Sequence, residues 1–121
     1  MDSLIIKPTE STPDINFDFV TGIMEISGRS LPEDAKIFYA PIINWLTIFK
    51  QTSHTSAVVL MKLDYFNTAS SKIILDIFQH IEEVSNEKKI VWHYNSDDDD
   101  MLEAGEEFEK MINVPFEYIS Y

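Results

Sequence analysis

The sequence predicts an α/β domain: a mixed β-sheet of about six strands with three main helices, in the order β-β-β-α-β-α-β-α-β. Three observations predict it. Before residue 30, alternation puts Ile15, Phe17 and Phe19 on one face, then Met24 and Ile26 after Thr21-Gly22, the pattern of a β-hairpin with a tight glycine turn. In mid-chain, the apolar run Ala57-Val58-Val59-Leu60-Met61 reads as a strand buried on both faces. Three segments of helical period then alternate with the later strands, which favours a sheet that is parallel toward its C-terminal half.

The elements follow in order. Leu4-Ile5-Ile6 predicts a short edge strand, followed by the proline-marked loop KPTESTPD. The hairpin ends at Gly28-Arg29-Ser30, and Leu31-Pro32-Glu33-Asp34 opens a helical region. From Glu33 to Lys50 the apolar residues Ile37, Phe38, Ile42, Trp45, Leu46 and Phe49 recur at helical spacing, with Pro41 expected to kink the helix or restart it. The central strand near Ser56–Leu63 is expected to stop at Asp64 and turn through Tyr65-Phe66-Asn67. A helix near Ala69–Val84 then packs Ile73, Ile74, Ile77, Phe78, Ile81 and Val84. Lys89 to Tyr94 is the next strand. A last helix begins around Asp98–Asp100, with Met101, Ala104, Gly105, Phe108, Met111 and Ile112 on one stripe, and Phe116–Ile119 closes as a short strand. No repeat or low-complexity linker divides residues 1–121, so a single domain is expected.

Composition narrows the function. Nine Lys/Arg against 21 Asp/Glu give a net charge of −12, a field that repels nucleic-acid backbones and anionic membranes alike. The longest apolar run is only a few residues, too short for a transmembrane helix, and MDSLIIKP lacks the basic and apolar regions of a signal peptide, so a cytoplasmic protein is expected. The absence of cysteine removes disulfides, thiolate catalysis and cysteine zinc sites. The acidic excess is uneven: Asp97 to Glu109 holds eight acids and no base, a surface suited to a basic partner or simply to water.

Chemistry concentrates after the central strand. Thr68, Ser70 and Ser71 stand at the start of a helix, just past the carboxyl end of a strand, where open α/β sheets present ligands and reactive groups. A hydroxyl there either caps the helix, contributing roughly 0.5–2 kcal/mol, or accepts a phosphate whose charge the helix N-terminus stabilises. Thr68 itself or Asn67 can fill the cap, and a cap at Asn67 would leave Thr68 facing solvent. Arg29, the only arginine, serves either as a loop ion pair or as a fork for a phosphate or a partner carboxylate. The Asp97–Asp100 run fails the calcium-loop pattern, because Leu102 and Phe108 occupy its sixth and twelfth positions; acids in a helix first turn offset the macrodipole instead. His54, His80 and His93 show no ligand spacing, and neither a catalytic triad nor a glycine-rich phosphate loop is present. No cofactor or metal is expected.

Four segments carry a resemblance. TPDINFDFVTGIMEISGRSLPED at Thr12–Asp34, FYAPIINWL at Phe38–Leu46, LDYFNTASSKIILDIF at Leu63–Phe78 and WHYNSDDDDMLEAGEEFEKMI at Trp92–Ile112 resemble the SiaC-type regulatory phosphoproteins. These are bacterial single-domain proteins with a fold similar to STAS anti-sigma-factor antagonists. The resemblance implies a non-enzymatic partner switch. Thr68 would be phosphorylated by a cognate serine/threonine kinase of the histidine-kinase-like ATPase type and dephosphorylated by a PPM-type phosphatase. The unphosphorylated form would bind and activate a diguanylate cyclase, with cyclic di-GMP and biofilm formation downstream. Residues expected to meet these partners are Arg29, Tyr65, Phe66, Asn67, Ser70, Ser71, Asp98, Asp99, Asp100 and Glu103. Two alternatives stand beside this: a constitutive adaptor in which Thr68 only caps, and a small metal-dependent enzyme using Asp97–Asp100.

Overall fold

The computed structural model describes residues 2–53 and 55–121; His54 lies outside them. The elements are β1 (Leu4–Ile6), β2 (Asp14–Phe17), β3 (Ile23–Ser30), α1 (Ala35–Thr52), β4 (Ala57–Phe66), α2 (Thr68–Glu82), β5 (Lys88–Tyr94), α3 (Asp99–Met111) and β6 (Phe116–Ser120). They build one six-stranded sheet in which spatial order equals chain order. β1, β2 and β3 are antiparallel neighbours, and β3 to β6 are parallel, so the mixed sheet changes sense after the hairpin as expected. Gly22 makes the tight turn at φ +74°, where a Cβ would lie 1.9 Å from the Ser56 carbonyl oxygen.

Register puts one set of side chains on one face. Ile15 faces Ile26, Phe17 faces Met24, Met24 faces Val59 and Met61 faces Trp92, and all of these are buried. The helices cover that face. Trp45 and Phe49 of α1 meet Phe17 and Phe19, while Phe78 of α2 and Phe108 of α3 close on Trp92. The other face has no helix on it. Val58 and Leu60 are half-buried, and Lys62 and Asp64 are exposed. The expectation that this strand is buried on both faces is therefore corrected: β4 alternates, because all three helices pack on the same side of the sheet.

Three further expectations change. β4 does not stop at Asp64. Gly28, at φ +102°, allows a bulge between Gly28 and Arg29, after which Arg29 pairs Tyr65 and Ser30 pairs Phe66, extending the strand through the predicted turn. Pro41 does not restart α1, the alternative to a kink; the chain runs through it as one helix. The carbonyl it deprives of a partner belongs to Ile37, one turn earlier, and both residues are on the exposed side, where the carbonyl is not cut off from solvent. On α3, Met101, Gly105 and Phe108 are buried as the stripe predicts, but Met111, the last residue of the helix, is 56% exposed.

Candidate functional site

The site lies at the carboxyl ends of β3 and β4. The peptide N–H of Asn67 donates to the Ser30 carbonyl at 3.0 Å, tying the end of β4 to the end of β3 before the chain enters α2. Asn67 is the N-cap: its Oδ1 accepts the Ser70 N–H at 2.9 Å, and its carbonyl accepts the Ser71 N–H at 3.0 Å. Thr68 is the first helical residue and is exposed. Its carbonyl accepts the Ser71 hydroxyl at 2.7 Å, whereas its own hydroxyl has no hydrogen-bond partner among the described residues. Asn67 performs the capping, so Thr68 is free of it.

Ser70 departs from its expected partner-facing place. It is fully buried, and its hydroxyl shares a core cluster with Ser30 at 2.8 Å, also donating to the Ser30 carbonyl at 3.1 Å. Ser30 in turn meets the Tyr39 hydroxyl at 2.6 Å. The three hydroxyls pin α2 to β3 and α1 directly beneath Thr68. Burial pushes the Tyr39 hydroxyl up to about 12, with the Ser30 hydrogen bond pulling the other way. The signal was present in the sequence: Ser70 precedes Ile74 by four residues and Ile77 by seven, so it continues the buried stripe of α2. Tyr39, on the buried stripe of α1, is a site-supporting residue that sequence reasoning missed.

The other predicted residues divide. Arg29 is exposed at the bulge, and Tyr65, 52% exposed, is its strand partner. Phe66 is half-buried among Trp92 and Phe108. Tyr65, Phe66, Asp98 and Asp100 line one cavity of about 260 Å³ with Asp64 and Met101, so the end of β4 and the start of α3 form a continuous acidic-aromatic surface. Asp98 is the N-cap of α3, its Oδ1 accepting the Met101 N–H at 3.0 Å; Asp99 and Asp100 occupy the first turn. Asp99 and Glu103 are exposed on α3 and do not line this cavity. Among the described residues, no three His, Asp or Glu side chains converge as a metal site requires. His93 is on β5, and His80 lies 2.9 Å from Lys50 and 3.7 Å from Asp76, far along α2 from Thr68. No helix of the described residues is long and apolar enough to cross a membrane.

Known proteins match this arrangement over nearly its whole length. A protein of Pseudomonas aeruginosa (strain UCBPP-PA14) is 31% identical over 119 residues, covering 96% of this chain and 94% of its own. The crystal structure of apo-SiaC from Pseudomonas aeruginosa superposes with a TM-score of 0.90 at 30% identity, covering 98% of both chains. A second match, with a TM-score of 0.92 at 29% identity and 98% and 99% coverage, comes from the structure of the diguanylate cyclase SiaD in complex with its activator SiaC from the same organism. The family model described as "SiaC family regulatory phosphoprotein" matches residues 6–121, and the chain belongs to that family.

Proposed function

We propose that this chain is a non-enzymatic, cytoplasmic partner-switch protein whose unphosphorylated form binds and activates a diguanylate cyclase. A cognate kinase of the histidine-kinase-like ATPase type phosphorylates Thr68, and a PPM-type phosphatase reverses it. The observation that carries this reading is the exposed Thr68 hydroxyl, free of hydrogen bonds among the described residues because Asn67 caps the helix in its place. The likeness to an activator found bound to a diguanylate cyclase supports the choice of target.

The physics of the switch is local. A phosphate adds about 1.5–2 negative charges at neutral pH without disturbing the core beneath it. A target that covers Thr68 must strip water from that charge, at a cost of several kcal/mol unless it supplies a basic partner. About 2.8 kcal/mol of such a difference lowers affinity a hundredfold. Arg29, Tyr65, Phe66, Ser71 and the start of α3 form the surrounding contact surface, and buried Ser70 acts only by holding α2 in place.

Binding of the purified chain to diguanylate cyclases of its own host tests this. Thr68→Ala is expected to bind and activate as the native protein does and to accept no phosphate from the kinase, while Thr68→Glu loses at least tenfold in affinity. Stoichiometric phosphorylation of the Thr68→Ala protein places the modification elsewhere and overturns the reading.

A further inference from the structure

Two lysines stand near this site, one close to Thr68 in the chain and one at the start of α1. Lys72 stands one helical turn beyond Thr68, at the i,i+4 spacing that brings side chains to about 5–6 Å between Cβ atoms on one face. Both residues are exposed. Lys72 also lines a cavity of about 400 Å³ between the starts of α1 and α2, together with Ala69, Ile73 and, from α1, Lys36. The described residues pair Lys50, Lys89 and Lys110 with carboxylates; neither Lys36 nor Lys72 is so paired. Lys36 and Lys72, neither paired with a carboxylate, thus line one cavity that reaches Ala69, the residue after Thr68, on a chain with only nine Lys/Arg residues and a net charge of −12.

Glu33 and Asp34 line the same cavity and compete for these lysines. Asp34 is already engaged as the N-cap of α1, its Oδ1 accepting the Ile37 N–H at 3.2 Å. A phosphate dianion presents more charge and more acceptor oxygens than the remaining carboxylate. Ser71 points elsewhere, its hydroxyl committed to the Thr68 carbonyl.

We infer that Lys72, joined by Lys36 from α1, receives the phosphate on Thr68 and folds it over the cavity between α1 and α2. The inference rests on the reading that Thr68 is phosphorylated. Phosphorylation then does two things at once: it adds an anion and it withdraws two free ammonium groups from the surface a partner meets. An unmodified chain offers that cavity open, with both lysines available; the modified chain offers it bridged.

Phosphorus NMR of full-length protein carrying phosphothreonine installed at position 68 during synthesis provides the test, since it does not depend on any kinase. The second ionisation of the phosphate is followed across pH 4 to about 8, bracketing its ordinary value near 6. Lys72→Ala is expected to raise it by about 0.3 of a pH unit, the size of an exposed i,i+4 pair. Lys72→Arg restores the native titration, and Lys36→Ala raises the ionisation by less. Lys89→Ala, which removes the same charge from the far side of the sheet, leaves it in place. Identical titrations for native and Lys72→Ala proteins overturn the inference; an unchanged Lys36→Ala protein overturns the part of it that reaches α1. Failure of the cognate kinase to modify Thr68 overturns the proposed function and leaves this titration as informative as before.

Discussion

Thr68 and Ser70 stand two residues apart and have opposite fates, and helical phase decides which. Two residues turn an α-helix by about 200°, so when Ser70 joins Ile74 and Ile77 on the inner face, Thr68 must face out. The inner hydroxyl is then forced to find partners, and Ser30 and Tyr39 supply them. Tyr39→Phe removes one arm and leaves Ser30 and Ser70 bonded to each other. A loss of about 0.5–1.5 kcal/mol is expected at pH 7, measured by urea unfolding. The change also alters the response to base. The folded-state value of Tyr39, about 12, exceeds its ordinary 10.0, so the folded protein keeps a proton that the unfolded chain releases. This contribution is fully present below pH 10 and is lost as pH rises toward 12. Tyr118 and Tyr121 are shifted upward too, by burial first and then by Glu109 and Asp64 respectively, and share that limb. Tyr39→Phe should therefore make the alkaline decline shallower; an unchanged slope would show that the buried hydroxyl does not govern it.

At the scale of elements, the tight packing of α3 on the sheet depends on a missing side chain. A Cβ on Gly105 would come within 2.7 Å of the Trp92 ring, which is buried and whose Nε1–H donates to the Met101 carbonyl at 3.0 Å. Gly105→Ala gains up to about 1 kcal/mol of helix propensity. It loses more, because the ring must shift among Phe66, Phe78 and Phe108, an overpacking cost of about 1–3 kcal/mol. Net destabilisation with an altered tryptophan near-ultraviolet signal is expected, and a stabilised variant would refute it. The presence of these elements was legible in the sequence because each helix carries its buried stripe at the right period: Ile42, Trp45, Leu46 and Phe49 in α1, and Ile74, Ile77, Phe78 and Ile81 in α2. The covering of β4 was less so. Ala57 to Met61 is apolar at every position whether one face or both are covered, and only Lys62 and Asp64, alternating with Met61 and Leu63, mark the open side. The bulge that carries Tyr65 and Phe66 into the strand depends on pairing with Arg29 and Ser30, some 36 residues earlier, and no local pattern encodes it. The geometry of the candidate site was legible at Asn67 and Thr68, where cap chemistry is local. It was not legible at Tyr39, which reaches the site only through the packing of α1.

The whole molecule is a strongly acidic body with few ion pairs to offset its charge. Among the described residues, Lys50–Glu83, Lys89–Glu117 and Lys110–Glu107 are the lysine–carboxylate pairs, against 21 acids in the chain. The last two are exposed pairs of the kind that contribute about 0–1 kcal/mol. Repulsion between like charges about 10 Å apart in water is roughly 0.4 kcal/mol per pair, and many acids of α3 lie within such distances of one another. Screening therefore relieves more repulsion than it removes attraction. Raising sodium chloride from low ionic strength to about 0.5 M, where the Debye length falls below 10 Å, is expected to stabilise the fold by an amount on the order of 1 kcal/mol. A protein held together by its surface ion pairs would respond in the opposite sense, so a urea midpoint that falls with salt would refute this account. The same field acts on partners: a basic surface approaching the acidic start of α3 is steered in, and its association rate should drop with salt while the intrinsic stability rises. Opposite salt trends for folding and for partner capture, measured on one preparation, would separate the acidic face as a docking surface from the acidic face as a solvated one, because solvation alone moves only the first.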